Sequence, residues 1–358
     1  MKVIVGAGGT GGHLYPALAL VEYIKEVEPD SEFLFVGTKD RIESEVVPQQ
    51  GYEYIGLNVR GLVGNPIKKG IAAAIFVKSI FTAKKIVKKF KPDIVIGFGG
   101  YPSASVVEAA NRLGYKTMIH EQNSIIGLTY KILIKIVDKI VCCYDKAYEN
   151  FHKDKTYKLG NPRASVIASI KPDDIFKKYH LNKNLPLVTI VMGSLGSKSV
   201  NEMMLKSLKT FEQKNYQVLY VTGKPYFEEM KTKLGKLNKN IKLVPYIDDM
   251  PSVLKNTTLV VSRAGASTLA EITAVGIPAI LNPSPYVAAN HQEYKARELA
   301  DRNAAMMILE ENLNSKDFVE KVDYILENKI VQESMQKSAK ALGKPNACRD
   351  IYKLIKEM

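Results

Sequence analysis

MKVIVGAGGTGGH, residues 1–13, is the stretch whose reading decides the fold. Lys2–Val5 is a short β-branched run of the kind that forms a buried parallel strand. It leads directly into Gly8-Gly9-Thr10-Gly11-Gly12-His13, and a helix is expected next, started with the help of Pro16. Glycines at such a junction let the backbone approach a ligand and leave N–H groups pointing outward. The helix N-terminus adds partial positive charge suited to phosphate or another anion. With a strand and a glycine loop in these positions, no signal peptide is expected. A GxGxxG spacing lies inside the loop, but Phe35-Val36 runs into Gly37-Thr38-Lys39-Asp40 without a convincing ribose-binding acid. No GK[ST] closes the loop, so it is not a Walker loop either.

Outward from there, the strand–loop–helix unit repeats. Strands are expected at Lys2–Val5, Phe33–Val36, Asp93–Ile96, Thr117–Ile119 and Lys139–Cys142, with helices near Tyr15–Glu28, Ile71–Phe90 and Ser103–Leu113. The pattern restarts at Leu187–Met192 and continues through Val218–Thr222, Lys242–Val244, Thr258–Val261 and Pro278–Leu281. Between the two runs, Lys158–Asn184 is rich in Pro, Lys, Asp and Asn. Repeated βα units imply right-handed crossovers and doubly wound sheets. The expectation is an α/β chain of two Rossmann-like domains, residues 1–160 and 161–343, with a last helix in 344–358. Ligands of such sheets bind beyond the C-terminal strand edges, and two facing domains would make an interdomain cleft.

Composition narrows the classes. With 358 residues, 46% hydrophobic and 25% charged, the chain has material for two cores. The net charge of +14 points to an anionic partner or to a lysine-rich host proteome. No nucleic-acid recognition motif accompanies it. Three cysteines, two of them adjacent at Cys142 and Cys143, form neither a zinc spacing nor a disulfide framework, which fits a reducing cytoplasm. The long uncharged stretch around Ile272–Gln292 carries Pro278, Pro283 and Pro285, which argue against a spanning helix.

Further motifs fall at strand ends. Gly97-Phe98-Gly99-Gly100-Tyr101-Pro102-Ser103 and Gly193-Ser194-Leu195-Gly196-Ser197 are second and third glycine loops. Three such loops together suggest a ligand cleft with phosphate in it. His13 is either structural or a catalytic or substrate-contacting group that the glycines expose. His120-Glu121-Gln122-Asn123 is either a hydrogen-bonded turn or a substrate shelf. Glu271, a turn inside the helix after Ser262-Arg263-Ala264-Gly265, is placed to accept from a ribose diol or simply to favour the helix dipole. Asn290-His291-Gln292-Glu293 carries amide groups that pair naturally with sugar hydroxyls.

Tyr54 to Pro92 holds nine Lys or Arg and not one acidic residue. On the helix expected there, Ala72, Phe76, Ile80, Ala83, Val87 and Phe90 make a core stripe. The opposite face sets Val77 and Phe81 among Lys78, Lys84, Lys85 and Lys88. That combination suits a surface dipping into an anionic membrane leaflet.

As a set, GGTGGHLYPALA, GFGGYPSAS, HEQNSIIGLTYK, GNPRA, PYIDDM, SRAGASTLAEI and NHQE span essentially the whole chain, and it resembles the MurG family of UDP-N-acetylglucosamine transferases. The resemblance implies a GT-B fold whose second domain binds UDP-GlcNAc and whose first accepts the undecaprenyl-linked sugar lipid I, giving lipid II. Peptidoglycan synthesis, and with it cell shape and division, would be the setting. A peripheral place on the cytoplasmic face of the cell membrane follows, as does a C-terminal helix returning to the first domain.

Carried onto this sequence, Ile247 would meet uracil, Glu271 the ribose, and Ser194, Ser267 and Thr268 the diphosphate. His291, Gln292 and Asn123 would bond the GlcNAc, Arg163 would place a cation at the phosphates, and Thr10, Gly11, Gly12 and His13 would line the reacting centre. The third loop has Met192 where family members often show a glycine, and Arg163 directly follows Pro162 where others carry one more residue. Inverting transfer needs a base, for which His13 is the candidate. Without a DxD-type pair on a strand-end loop, no catalytic metal and no cofactor is expected. A diacylglycerol transferase, a UDP-GlcNAc epimerase and a non-catalytic membrane scaffold are the rival readings.

Overall fold

The computed structural model describes residues 1–59, 61, 65–193, 195–287 and 290–358. It divides into two compact units, Met1–Ser165 with Asn346–Met358, and Val166–Pro345.

The first unit is built on a seven-stranded parallel sheet. Its strands are β1 (Lys2–Ala7), β2 (Glu32–Thr38), β3 (Glu53–Leu57), β4 (Ile94–Gly99), β5 (Lys116–Glu121), β6 (Lys139–Cys142) and β7 (Thr156–Lys158). Their order is β3-β2-β1-β4-β5-β6-β7. Buried apolar runs such as Val3-Ile4-Val5 and Ile94-Val95-Ile96 explain the central strands, since helices cover both faces of the sheet. The chain reverses its winding between β1 and β4, and that switch point opens a crevice beyond the strand ends.

The helices that follow β1 to β4 in turn are α1 (Gly11–Val27), α2 (Glu43–Gln49), α3 (Pro66–Phe90) and α4 (Gly100–Asn111). The first helix starts five residues before Pro16, because the Thr10 carbonyl already accepts from the N–H groups of His13 and Leu14. Gly11, Gly12 and His13 are therefore the first turn of α1 rather than loop. The edge strands β3 and β7 are absent from the sequence expectation. They are short and carry polar or glycine residues, so their hydrophobic signal is weak. The C-terminal helix, Ala347–Lys356, packs Cys348, Ile351, Leu354 and Ile355 into the core that α1 covers.

The second unit repeats the scheme with β8 (Leu187–Val191), β9 (Gln217–Val221), β10 (Ile241–Val244), β11 (Leu259–Ser262), β12 (Ala279–Leu281) and β13 (Met306–Met307). All pairings are parallel, in the order β10-β9-β8-β11-β12-β13. Its switch point lies between β8 and β11. Among the described residues, no helix is long and apolar enough to cross a membrane.

Candidate functional site

Each switch point carries a site. In the first unit the two glycine loops interlock. Gly8 N–H donates to the Gly99 carbonyl, and Gly6 packs so closely on α4 that a Cβ would lie 2.8 Å from Ser103 Cα. Gly99, at φ +126°, leaves room for one group: a Cβ there would stand 2.6 Å from His13 Nε2. The second loop thus makes space for the histidine of the first, a relation that no spacing within either motif reveals.

The His13 ring is half-buried, and its Nδ1 lies 2.8 Å from the Gly8 carbonyl oxygen. A carbonyl only accepts, so Nδ1 carries the hydrogen and Nε2 keeps its lone pair. Burial lowers the imidazole pKa, with the Gly8 bond and the Glu43 charge opposing it. A neutral ring with a bare Nε2 is the form a general base requires. Thr10 caps the helix in extended conformation, its hydroxyl 3.4 Å from the same Nδ1. A cavity of about 480 Å³ adjoins the loops, lined by Gly8, Gly9, Arg41, Gly100 and Tyr101 among others.

The HEQN segment resolves into two parts. His120 belongs to β5, stacks on Phe98 at 5.1 Å and points Nε2 at the Gly160 carbonyl. Burial pushes its pKa down to about 4, so it is a neutral core residue. The buried Glu121 carboxylate accepts from the N–H groups of Asn123 and Gly127 and from the Asn123 side-chain amide. Gln122 donates to the Phe98 carbonyl. The first three side chains are buried, with Glu121 holding the turn, and half-buried Asn123 is what that turn presents.

In the second unit a cavity of about 890 Å³ lies at the β8/β11 switch point. Of the residues expected at a sugar-nucleotide site, Ile247, Thr268, Glu271 and Gln292 line it. Glu271 is buried within the helix Ala266–Val275, and Gln292 accepts from Ser284 N–H, which leaves its amide nitrogen as the donor. The Ser267 hydroxyl is buried without a hydrogen-bond partner among the described residues. Ser267 and His291 stand beside lining residues but outside the lining itself. Ser194 lies outside the described residues. Arg163 opens the helix Arg163–Ser169 in the linker, where its charge acts on Glu22 of α1 and on Cys348. It does not line this cavity.

Sequence reasoning assigned no role to Arg263, which the structure places at the centre of the second site. Its guanidinium donates to Asn282 Oδ1 at 2.6 Å and to Ser197 Oγ at 2.8 Å, and pairs with Glu310 at 2.6 Å. It therefore ties the third glycine loop to β12 while lining the cavity. Its place directly after a strand at the switch point was the available signal. Exposed Tyr286 belongs to the lining.

Residues 3–142 match the glycosyltransferase family 28 N-terminal domain, and residues 187–351 match the glycosyltransferase family 28 C-terminal domain. The chain is 40% identical over 361 residues to a transferase of Limosilactobacillus reuteri, covering 99% of this chain and 98% of that protein. That relative is named UDP-N-acetylglucosamine–N-acetylmuramyl-(pentapeptide) pyrophosphoryl-undecaprenol N-acetylglucosamine transferase. An identically named protein of Leuconostoc mesenteroides is 43% identical over 357 residues, covering 99% of this chain and 98% of its own. Among solved structures, Acinetobacter baumannii MurG superposes with a TM-score of 0.81 at 26% identity, over 100% of this chain and 99% of that one. A UDP-GlcNAc 2-epimerase from Neisseria meningitidis matches at TM-score 0.68 and 13% identity over 100% of both chains, which is likeness of fold alone.

Proposed function

The chain belongs to glycosyltransferase family 28, with the N-acetylglucosamine transferases it matches from end to end, and from that premise we propose that it moves GlcNAc from UDP-GlcNAc to lipid I, giving lipid II for peptidoglycan synthesis. What carries this reading is identity of about 40% over the full length with relatives named for that reaction.

The residue roles are our reading of the two sites. UDP-GlcNAc occupies the 890 Å³ cavity, with uracil at Ile247, the ribose diol at Glu271 and GlcNAc at Gln292 and His291. Ser267, Thr268 and the N-terminus of their helix receive the diphosphate, with Ser194 as a further contact. Asn123 and the Thr10-Gly11-Gly12 turn serve the transferred sugar and the acceptor. His13 Nε2 takes the acceptor hydroxyl proton as that oxygen bonds to the anomeric carbon. The bond from that carbon to the diphosphate oxygen breaks, and UDP leaves with the electron pair. The transition state has oxocarbenium character, as in glycoside hydrolysis.

With a lipid-linked acceptor, we infer a peripheral place for the protein at the cytoplasmic face of the membrane. Val77 and Phe81 on α3 are 52% and 62% exposed, with Lys84 and Lys85 beside them. We assign this face to the anionic leaflet. The test is transfer of labelled GlcNAc to a lipid I analogue, with diacylglycerol and no acceptor run in parallel. Product on the lipid I analogue alone is expected. Product on diacylglycerol alone, or epimerised donor without acceptor, would overturn the reading.

A further inference from the structure

One buried carboxylate in the first unit has no part in the roles above. Glu43 opens α2 and is wholly buried. Its Oε1 accepts three hydrogen bonds, from Gly9 N–H at 3.0 Å, Thr38 N–H at 3.0 Å and Thr38 Oγ1 at 2.8 Å. Its Oε2 is buried with no hydrogen-bond partner among the described residues. Two glycines keep space for it: a Cβ at Gly8 would lie 2.9 Å from Oε1, and one at Gly37 would lie 2.6 Å from Cγ.

The Gly9 N–H and the Gly8 carbonyl are the two ends of one peptide group. Glu43 accepts from the first, and His13 Nδ1 donates to the second. The sequence of contacts is carboxylate, peptide, imidazole. A peptide whose N–H is drawn toward a negative charge becomes polarised, and its carbonyl oxygen becomes a stronger acceptor. That strengthens the Nδ1–H bond, keeps the hydrogen on Nδ1 and raises the basicity of Nε2.

We propose that Glu43 is a positioning residue that orients and electronically tunes His13 through the intervening Gly8–Gly9 peptide, resting on the assignment of His13 as base. In hydrolase triads a carboxylate contacts the histidine directly. Here a peptide stands between them. A merely structural prop would not need a full charge: a glutamine could accept the same three bonds. The unpartnered Oε2 is the cost of retaining a carboxylate.

The surroundings leave Glu43 as the charge acting on the ring among the described residues. The β4–α4 junction contributes glycine backbone beside His13, while Asp40 and Arg41 on the β2–α2 connection line the adjoining cavity. Burial lowers the His13 imidazole, opposed first by the Gly8 bond and then by the Glu43 charge, and burial followed by the same charge raises the neighbouring Tyr54 phenol.

Three measurements on the full chain test this. Imidazole ¹⁵N shifts of the wild-type protein should show His13 protonated on Nδ1 at neutral pH. An Nε2-protonated ring would overturn the proposal without any variant. In Glu43→Gln the His13 titration and the acid limb of kcat/KM should move together to lower pH, because the charge that favoured the imidazolium is gone. The plateau should fall on the order of tenfold as the base weakens, with UDP-GlcNAc affinity unchanged. Glu43→Asp should return the limb toward its wild-type position. If Glu43→Gln lost activity with both the limb and the His13 titration unmoved, Glu43 would be a loop prop and the proposal would fall. Full activity in His13→Gln would instead defeat the base assignment, and the His13 resonance in Glu43→Gln judges the coupling separately.

Discussion

The two units build the same switch point of the same fold with close-packed glycines and differ in what lies beyond them. In the first, glycines are spent on close packing: Gly6, Gly8, Gly97 and Gly99 each face neighbours that a Cβ would strike. The result is a tight cradle holding one titratable ring at His13. In the second, Gly196 packs as tightly, since a Cβ there would lie 2.0 Å from the Thr222 carbonyl oxygen, but Gly193 meets nothing within 4 Å and the space beside it stays open as a cavity of about 890 Å³. Its loop is held by a cation, Arg263, paired with Glu310, whereas the first unit holds its loop by an anion, Glu43. One unit closes around a histidine ring and the other leaves a cavity open. Glycine at a strand end therefore signals that backbone must come close to something, without saying whether that is a ligand or another loop.

Kinetics can break this comparison most sharply. His13→Ala should lower kcat by roughly 10²–10⁴-fold, the usual contribution of a general base, and leave UDP-GlcNAc affinity near wild type. Glu271→Ala should do the reverse, raising donor KM by roughly ten- to a hundredfold through loss of charge-assisted hydrogen bonds with a smaller effect on kcat. Steady-state analysis of both variants checks the pair, and a His13→Ala phenotype confined to donor KM would erase the distinction between the units.

The units should also differ in their response to acid. His120 sits at about 4 in the folded protein, below its ordinary 6.5. The unfolded chain takes up a proton that the folded first unit refuses, so this contribution is present above pH 6.5 and is lost as pH falls toward 4. The loss should amount to roughly 2–3 kcal/mol. Denaturant melts between pH 7 and 4.5 should show His120→Gln flattening the pH dependence of the first unit and not of the second.

The smallest expected effect concerns the exposed face of α3. Phe81→Ser with Lys84→Glu and Lys85→Glu should weaken sedimentation with anionic vesicles by about 1 kcal/mol per lysine. Transfer to a water-soluble acceptor analogue should be spared. Unchanged vesicle binding would move the docking face elsewhere.

Legibility followed the strength of the local signal. Central strands such as Phe33–Val36 were readable because burial on both faces demands an unbroken apolar run. The helix start at Gly11 was not, since Pro16 offers a local boundary that the Thr10 hydrogen bonds override. The motif segment His120–Asn123 was readable as a strand-end feature. Which side chains turn inward was decided by Phe98, Gly160 and Gly127, all distant in sequence or beyond the motif. Arg263 stood inside a quoted motif, but its partners Ser197, Asn282 and Glu310 come from three other segments.

By itself the sequence determined the repeated βα pattern, the glycine loops at strand ends and the family, because periodicity and motif residues are properties of neighbours along the chain. Tertiary structure alone decided that Gly99 makes room for His13, that Glu43 meets the far side of the Gly8 peptide, and that Arg263 ties down the third loop. Those relations depend on which strands lie side by side, and a parallel sheet brings together residues that the chain keeps tens of positions apart.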